Sequence, residues 1–302
     1  MIDLSHLGLT PQVLGEVDQL KPTVKGGLLL LDGDGFCYTA AANAAKEMTA
    51  FNRLKEAIYT QMFLTGCDKA YVHLTPKGCA KNNRDLLNTV KPYQMNRVGI
   101  KGKPKHLDFL RSEWAAEEIN NTCPEITMFL NWDIEADDAL MIDHYRNENA
   151  ILVSPDKDLL ISPFAQYIES DGKVITLPEG DHFGWIDRKH WVTEGGKKSS
   201  KMIGKGKKFF LAQMLMGDTA DHVQGIIKLN GKSCGEAGAY EALSPITNEV
   251  EAVNFVLDGY RAIKQNPIPE GVAMWLLRSR DDHVYKYFNE CDLSPVNKDY
   301  LD

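Results

Sequence analysis

The chain has 302 residues, 42 acidic against 34 basic, with a net charge of −8 and an apolar fraction of 43%. That composition suits one large or two small globular domains, excludes a disordered or collagen-like chain, and argues against indiscriminate binding of polyanions. Cysteines 37, 67, 79, 123, 234 and 291 are scattered without a CxxC pair, so neither a zinc site nor a disulfide framework is indicated, and a reducing, cytoplasmic setting is expected. The first residues carry Asp3 and no long apolar run, and the apolar stretch 28–31 is too short to span a bilayer, so no membrane association is expected.

In chain order, residues 28–31, 70–74, 126–130 and 151–153 are short apolar runs of the kind found in buried parallel strands. Helical spacing lies between them: Ala44, Met48, Phe51, Leu54, Ile58 and Met62 repeat at three and four residues, and residues 106–119 and 136–145 read similarly. The pattern predicts an α/β fold with a mostly parallel central sheet flanked by helices. Residues 195–206, rich in Gly, Ser and Lys, read as a flexible connection dividing an α/β domain (1–195) from a helical region (196–302). In the second part, residues 209–216 read as a helix running into Gly217-Asp218-Thr219-Ala220-Asp221. A further helix is expected from near Lys232, after a turn containing Asn230-Gly231. Such a helical pair can grip phosphates through backbone amides without reading bases. Residues 245–302 read as helical and peripheral.

Four acidic clusters follow apolar segments: Asp32 and Asp34; Glu135, Asp137 and Asp138; Asp156 and Asp158; Asp218 and Asp221. Each alone reads more readily as solvated turn and helix-cap residues. Together they favour a metal site, because gathering so many like charges is costly unless divalent cations neutralise them, and hard oxygen ligands suit Mg²⁺ or Mn²⁺. Asp32, Glu135 and Asp156 each follow a predicted strand, which puts them at the carboxyl edge where ligands of open α/β sheets gather. If residues 135–141 open a helix, Glu135 and Asp138 share a face and Asp137 sits about 100° away.

The charges are also segregated. Residues 77–111 hold nine Lys or Arg against two acids and 197–208 hold six Lys and no acid, whereas 133–158 holds eight acids and only Arg146 and Lys157. Basic segments that hold a phosphate backbone beside an acidic metal pocket are an arrangement for cutting phosphodiesters; a solvated surface is the alternative for the first segment.

Leu31-Asp32-Gly33-Asp34, Glu135-Ala136-Asp137-Asp138, Ser154-Pro155-Asp156-Lys157-Asp158, and Met216-Gly217-Asp218-Thr219-Ala220-Asp221 followed by Gly225-Ile226 resemble the successive signatures of the flap endonuclease and 5′→3′ exonuclease family in its bacteriophage-type form, over residues 27–240. The resemblance implies a helical arch at about residues 77–111 and a helix-three-turn-helix DNA clamp at about 209–245. It also implies two Mg²⁺ ions, replaceable by Mn²⁺. Carried over, Asp32, Glu135 and Asp137 serve the first ion and Asp156, Asp158, Asp218 and Asp221 the second, with Asp138 shared or supporting. Asp34 falls outside the family's usual ligand position. Asp32, Asp137, Asp156 and Arg97 are the implied catalytic residues. Lys91, Tyr93, Arg97, Lys101, Lys103, Lys105, Lys232 and Ser233 are the implied nucleic-acid contacts. The implied enzyme is a monomer, in the host cytoplasm if viral, that cuts DNA at 5′ ends or flaps, and RNA in RNA:DNA hybrids, to 5′-phosphate products alongside replication proteins.

Three departures from the family pattern bear on activity. Tyr93-Gln94-Met95-Asn96-Arg97 has Gln94 where the family has a lysine, so one positive charge is missing unless Lys91 or another lysine of this segment replaces it. Thr75-Pro76 stands where an acid is usual, and Lys228 and Asn230 stand where glycines are usual. These changes leave open a weakened, nucleic-acid-binding relative. A second alternative is a haloacid dehalogenase-like phosphatase, which also opens on an apolar strand and Asp-x-Asp, but needs a strand where residues 209–216 read as helix.

Overall fold

The computed structural model describes residues 23–97, 99, 102–193 and 195–302; Lys101 lies outside the described residues. Its centre is a six-stranded sheet, in sequence order β1 (Val24–Asp32), β2 (Cys67–Leu74), β3 (Ile126–Leu130), β4 (Ile151–Val153), β5 (Gln166–Ile168) and β6 (Lys173–Ile175). The spatial order is β3-β2-β1-β4-β5-β6, parallel except for the β5–β6 edge pair. The four strands expected from apolar runs are present, and the sheet bears out the predicted α/β class.

Side chains of β1 alternate between two cores, as strand geometry requires. Leu29 and Leu31 join Val72, Leu74 and Phe51 on one face, and Leu30 joins Leu152, Leu140 and Phe209 on the other. The first face is covered by α1 (Gly33–Ala41), α2 (Glu47–Thr65), α3 (Leu107–Leu110) and α4 (Glu113–Thr122). Against the second face pack α5 (Ala136–Arg146) and α6 (Lys207–Met216), followed by α7 (Glu236–Leu243), α8 (Glu249–Ala262), α9 (Pro267–Met274) and α10 (Val284–Glu290), with α11 (Pro295–Leu301) at the end. The helix predicted over 106–119 is two, because the Ser112 hydroxyl accepts from Ala115 N–H and starts a new helix there.

Two sequence expectations take a different form. Residues 195–206 are not a flexible connection: Trp185–Val192 (β7) and Lys198–Lys205 (β8) make an antiparallel hairpin through the expected boundary. Ser199 and Ser200, which read in sequence as linker, stand opposite Trp191 and His190, and the backbone there is satisfied by the ladder.

Among the described residues of 77–111 there is no long helix. They form two 3₁₀ turns (Lys81–Leu86 and Met95–Arg97), α3 and irregular strap. Prolines 76, 92 and 104 and glycines 78, 99 and 102 interrupt any longer helix. The strap turns left-handed at Lys81, Asn82 and Asn83 (φ 50°, 52° and 56°) and at Gln94 (51°).

Candidate active site

At the carboxyl ends of the strands lies a cavity of about 460 Å³ lined by Asp32, Asp34, Glu135, Asp137, Asp156, Asp158 and Asp221. Its position follows from the topology. The chain runs outward from β1 to β2 and β3, then returns to the other side of β1 as β4, so the loops leaving β1 and β4 diverge at a switch point.

Local sequence aims each acid. Asp32 ends β1 and caps α1, its Oδ1 accepting from Asp34 N–H at 3.1 Å and its Oδ2 from the Ser154 hydroxyl at 2.7 Å. This sharp strand-to-helix junction needs Gly33, because a Cβ there would stand 2.6 Å from Leu74 Cδ2. Glu135 and Asp137 open α5, where Ala136 N–H donates to the Thr75 hydroxyl at 2.9 Å. Asp156 caps the 3₁₀ turn Lys157–Ile161, its Oδ1 accepting from Asp158 N–H at 2.9 Å. Asp156 and Asp158 both face the cavity.

Asp34, which sequence reasoning held back, is part of the wall. Its Oδ1 accepts from Thr75 N–H at 3.0 Å and lies 3.0 Å from Arg111 Nε, which puts a carboxylate at the end of β2 where Thr75 supplies none. Asp138 does the opposite. It is fully buried and absent from the cavity lining, taking Arg84 through both oxygens at 2.8 Å and Leu277 N–H at 3.1 Å. Of the two places expected for it, shared or supporting, its position is the supporting one: the α5 turn that sends Asp137 into the cavity sends Asp138 into the core. Asp218 is also buried behind the wall, paired with Lys157 and accepting from Ala220 N–H at 2.8 Å. Lys157 bridges it to Asp158.

The electrostatics separate two kinds of acid. Asp137 has no hydrogen-bond partner among the described residues, and burial together with Asp32, Asp156, Glu135 and Asp34 pushes its carboxyl well above the usual range. Burial, then Asp34, raises Asp32 to about 6, and burial, then Asp156, raises Asp158 to about 7. Asp34 and Asp221 are raised too, each mainly by burial. In contrast, Arg84 and Lys81 outweigh burial at Glu135, and Lys157 does so at Asp218, so both stay below the ordinary range.

The strap closes the open side. Tyr93 hydroxyl donates to Glu135 at 3.0 Å, and Gln94 Nε2 donates to Asp221 Oδ1 at 3.1 Å. Arg97 pairs with Asp221. Lys81 Nζ donates to the Gln94 side-chain oxygen and lies 3.3 Å from Glu135. Thus the lysine that comes beside Gln94 is Lys81, whereas Lys91, Lys103 and Lys105 are exposed away from the cavity lining. Sequence reasoning missed Lys81, Arg84 and Arg111; membership of the basic run is their one sequence signal, and it does not distinguish them from their neighbours.

Beyond α6, Asn230 and Gly231 form a tight left-handed turn between Leu229 and Lys232, whose backbone groups pair at 2.8 and 3.1 Å. Lys232 and Ser233 are exposed on it, and α7 begins at Glu236, later than expected. Lys228 is outside the left-handed residues, so the turn needs no glycine there.

Among the described residues, no three His, Cys, Asp or Glu side chains are arranged, as they stand, to hold a metal ion. The donor chemistry nevertheless fits a hard divalent cation. Asp137 faces four further cavity carboxylates, Asp32, Asp34, Glu135 and Asp156, and every donor among them is a carboxylate oxygen.

No family model matches the chain, and no curated protein does. Solved structures do. The D15 protein of bacteriophage T5, co-crystallised with metal ions, superposes with a TM-score of 0.53 at 14% identity, covering 91% of this chain and 95% of that one. The bacteriophage T5 D15 flap endonuclease in a pseudo-enzyme-product complex with DNA and metal ions gives the same score and identity over 91% and 99%. This chain has their fold.

Proposed function

We infer that this chain is a divalent-metal-dependent nuclease that hydrolyses phosphodiester bonds near 5′ ends. The observation that carries the reading is Asp137, whose carboxylate has no hydrogen-bond partner among the described residues and faces the other cavity carboxylates at the switch point of the sheet. At a half-buried position among other carboxylates, a cation would offset the repulsion such a group feels. Asp32, Glu135 and Asp137 would hold the first ion, and Asp156, Asp158 and Asp221 would face the second, with Asp218 behind them. Mg²⁺ or Mn²⁺ bound there supplies an activated water at neutral pH and neutralises charge on the phosphate oxygens.

The protein's own residues do the rest. Lys81 and Arg97, 34% and 50% exposed at their side chains, are the strap cations open to an incoming phosphate, whereas Arg84 at 3% is locked inside. The Tyr93 hydroxyl, 3.0 Å from Glu135 and 3.3 Å from Asp221, has one proton and holds Glu135, the nearer of the two, in its orientation. The exposed turn bearing Lys232 and Ser233 holds duplex phosphates without reading sequence, so substrate choice follows structure: 5′ ends and flaps of DNA, and RNA:DNA hybrids. Lys81 beside Gln94 and Asp34 beside Thr75 restore in space the charges whose absence from sequence suggested a weakened relative. The phosphatase alternative needs a strand before Gly217, where the chain has α6.

Incubation with 5′-labelled duplex, flap and RNA:DNA substrates, with Mg²⁺, Mn²⁺ or chelator, tests the reading. Short 5′ products that vanish with chelator are expected; duplex binding without cutting in either metal overturns it.

A further inference from the structure

Helix α9, in the part of the chain that sequence marks as peripheral, carries a buried carboxylate. Glu270 is 1% exposed, and its two oxygens are divided between two distant loops. Oε1 accepts from Val90 N–H of the strap at 2.6 Å, and Oε2 accepts from Gly225 N–H, just beyond Asp221, at 3.1 Å. Burial pushes the carboxyl above its ordinary range, with the N–H groups of Val90, Gly225 and Gln224 and the charge of Lys91 pulling against it. Burying a carboxylate is costly, and an apolar side chain would pack α9 without that cost. What the carboxylate adds is a fixed link between the two loops.

The rest of α9 and its approach make the same two attachments. Gln265 accepts from Ile227 N–H and donates to Gly225 O, both at 2.8 Å, so the loop after Asp221 is held from the start of the helix. Arg84 donates to Val272 O at 3.3 Å and to Trp275 O at 2.8 Å, so the strap is held at its end. The Gly225 joint is stiff: its φ is +66°, and a Cβ there would stand 2.5 Å from Gly217 N. A shift of the turns after α6 therefore reaches Glu270 with little slack.

We propose that Glu270 is a positioning residue that couples the duplex-holding turns (217–235) to the strap (81–97), so that an engaged duplex sets the strap over the acid cavity. The proposal rests on the nuclease reading for its purpose, but its test does not depend on cleavage. Hydrogen–deuterium exchange of the full chain in chelator, with and without a blunt DNA duplex, reads it. In the native chain, duplex raises protection in both 217–235 and 81–97. In Glu270→Gln, which keeps the shape but offers one carbonyl oxygen for two N–H donors, only 217–235 responds. Val90→Pro removes the strap donor alone at a half-exposed position, and gives the same split if Glu270→Gln fails to fold.

On a flap substrate in Mg²⁺, either variant lowers kcat roughly tenfold or more with KM within about twofold, since small misplacement of a positioning element is felt in the rate. Strap protection that still follows duplex in both variants overturns the proposal. So does a native strap that ignores duplex, or a kcat loss matched by equal losses in KM and melting temperature. A native chain that couples but cuts nothing overturns the nuclease reading and leaves the coupling standing.

Discussion

Asp137 and Asp138 are adjacent in sequence, begin the same helix, and end in opposite environments. Asp138 meets Arg84 in a closed, fully hydrogen-bonded core pair that also ties in Leu277 N–H. Asp137 meets other carboxylates and no hydrogen-bond partner among the described residues. The first arrangement holds the strap and the C-terminal helices to the sheet. The second gathers like charges, the repulsion that a cation would relieve in the proposed reading. Acidic residues of one cluster thus divide between architecture and chemistry, according to which side of a single helical turn they occupy.

Replacing each member breaks the contrast differently. Asp137→Asn is expected to lower cleavage by roughly 10³-fold, as when a group that organises charge in the transition state is lost. It leaves blunt-duplex binding in chelator unchanged and raises the melting temperature of the metal-free chain; calorimetric titration with Mn²⁺ shows the lost ion. Arg84→Ala is expected to cost about 3–5 kcal/mol of stability by leaving Asp138 buried without its cation, a drop that denaturant melts measure. If Arg84→Ala melts like the native chain, the architectural assignment of Asp138 is wrong.

Lys81→Met sharpens the boundary between the two groups, because Lys81 belongs to the strap but faces the cavity. Cleavage is expected to fall about tenfold with Mn²⁺ affinity kept, and Gln94→Lys in that background to recover part of the loss.

The smallest effect is in pH. Asp32 and Asp158 have folded pKa values of about 6 and 7, above the unfolded value. The native state therefore binds more protons between about pH 4 and 7, and this component of metal-free stability is present at the acid end and lost as pH rises through that window. Glu135 and Asp218, held low, act in the opposite sense only below about pH 4. Melts of the native chain from pH 5 to 8 should slope downward, and the slope should flatten with Mg²⁺ or in Asp137→Asn. An unchanged slope in both would refute the mutual repulsion.

Much of the α/β frame is legible in the residues themselves. Apolar runs such as 28–31 and 151–153 become β1 and β4 because a strand buried on both faces leaves no polar position to interrupt the run. Asp32 and Asp156 are legible for a related reason: each ends a strand and caps the turn that follows, so local backbone geometry aims it. The hairpin β7–β8 is not legible, since its second strand is Ser- and Lys-rich and gains definition only by pairing with β7. Nor is the strap, where prolines and glycines say what cannot form but not where the chain goes.

Sequence by itself thus determined four of the six strands of the sheet and the acids at their ends, which depend on neighbours a few residues away, and the surplus of negative charge, which is composition alone. Only the tertiary structure decided that Asp34 joins the cavity, that Asp138 leaves it, that Lys81 comes beside Gln94, and that Glu270 ties the strap to Gly225. Those outcomes rest on contacts across 13 to 180 positions of chain, where the partner is fixed by packing and by the need to satisfy buried charge, and no local pattern records it.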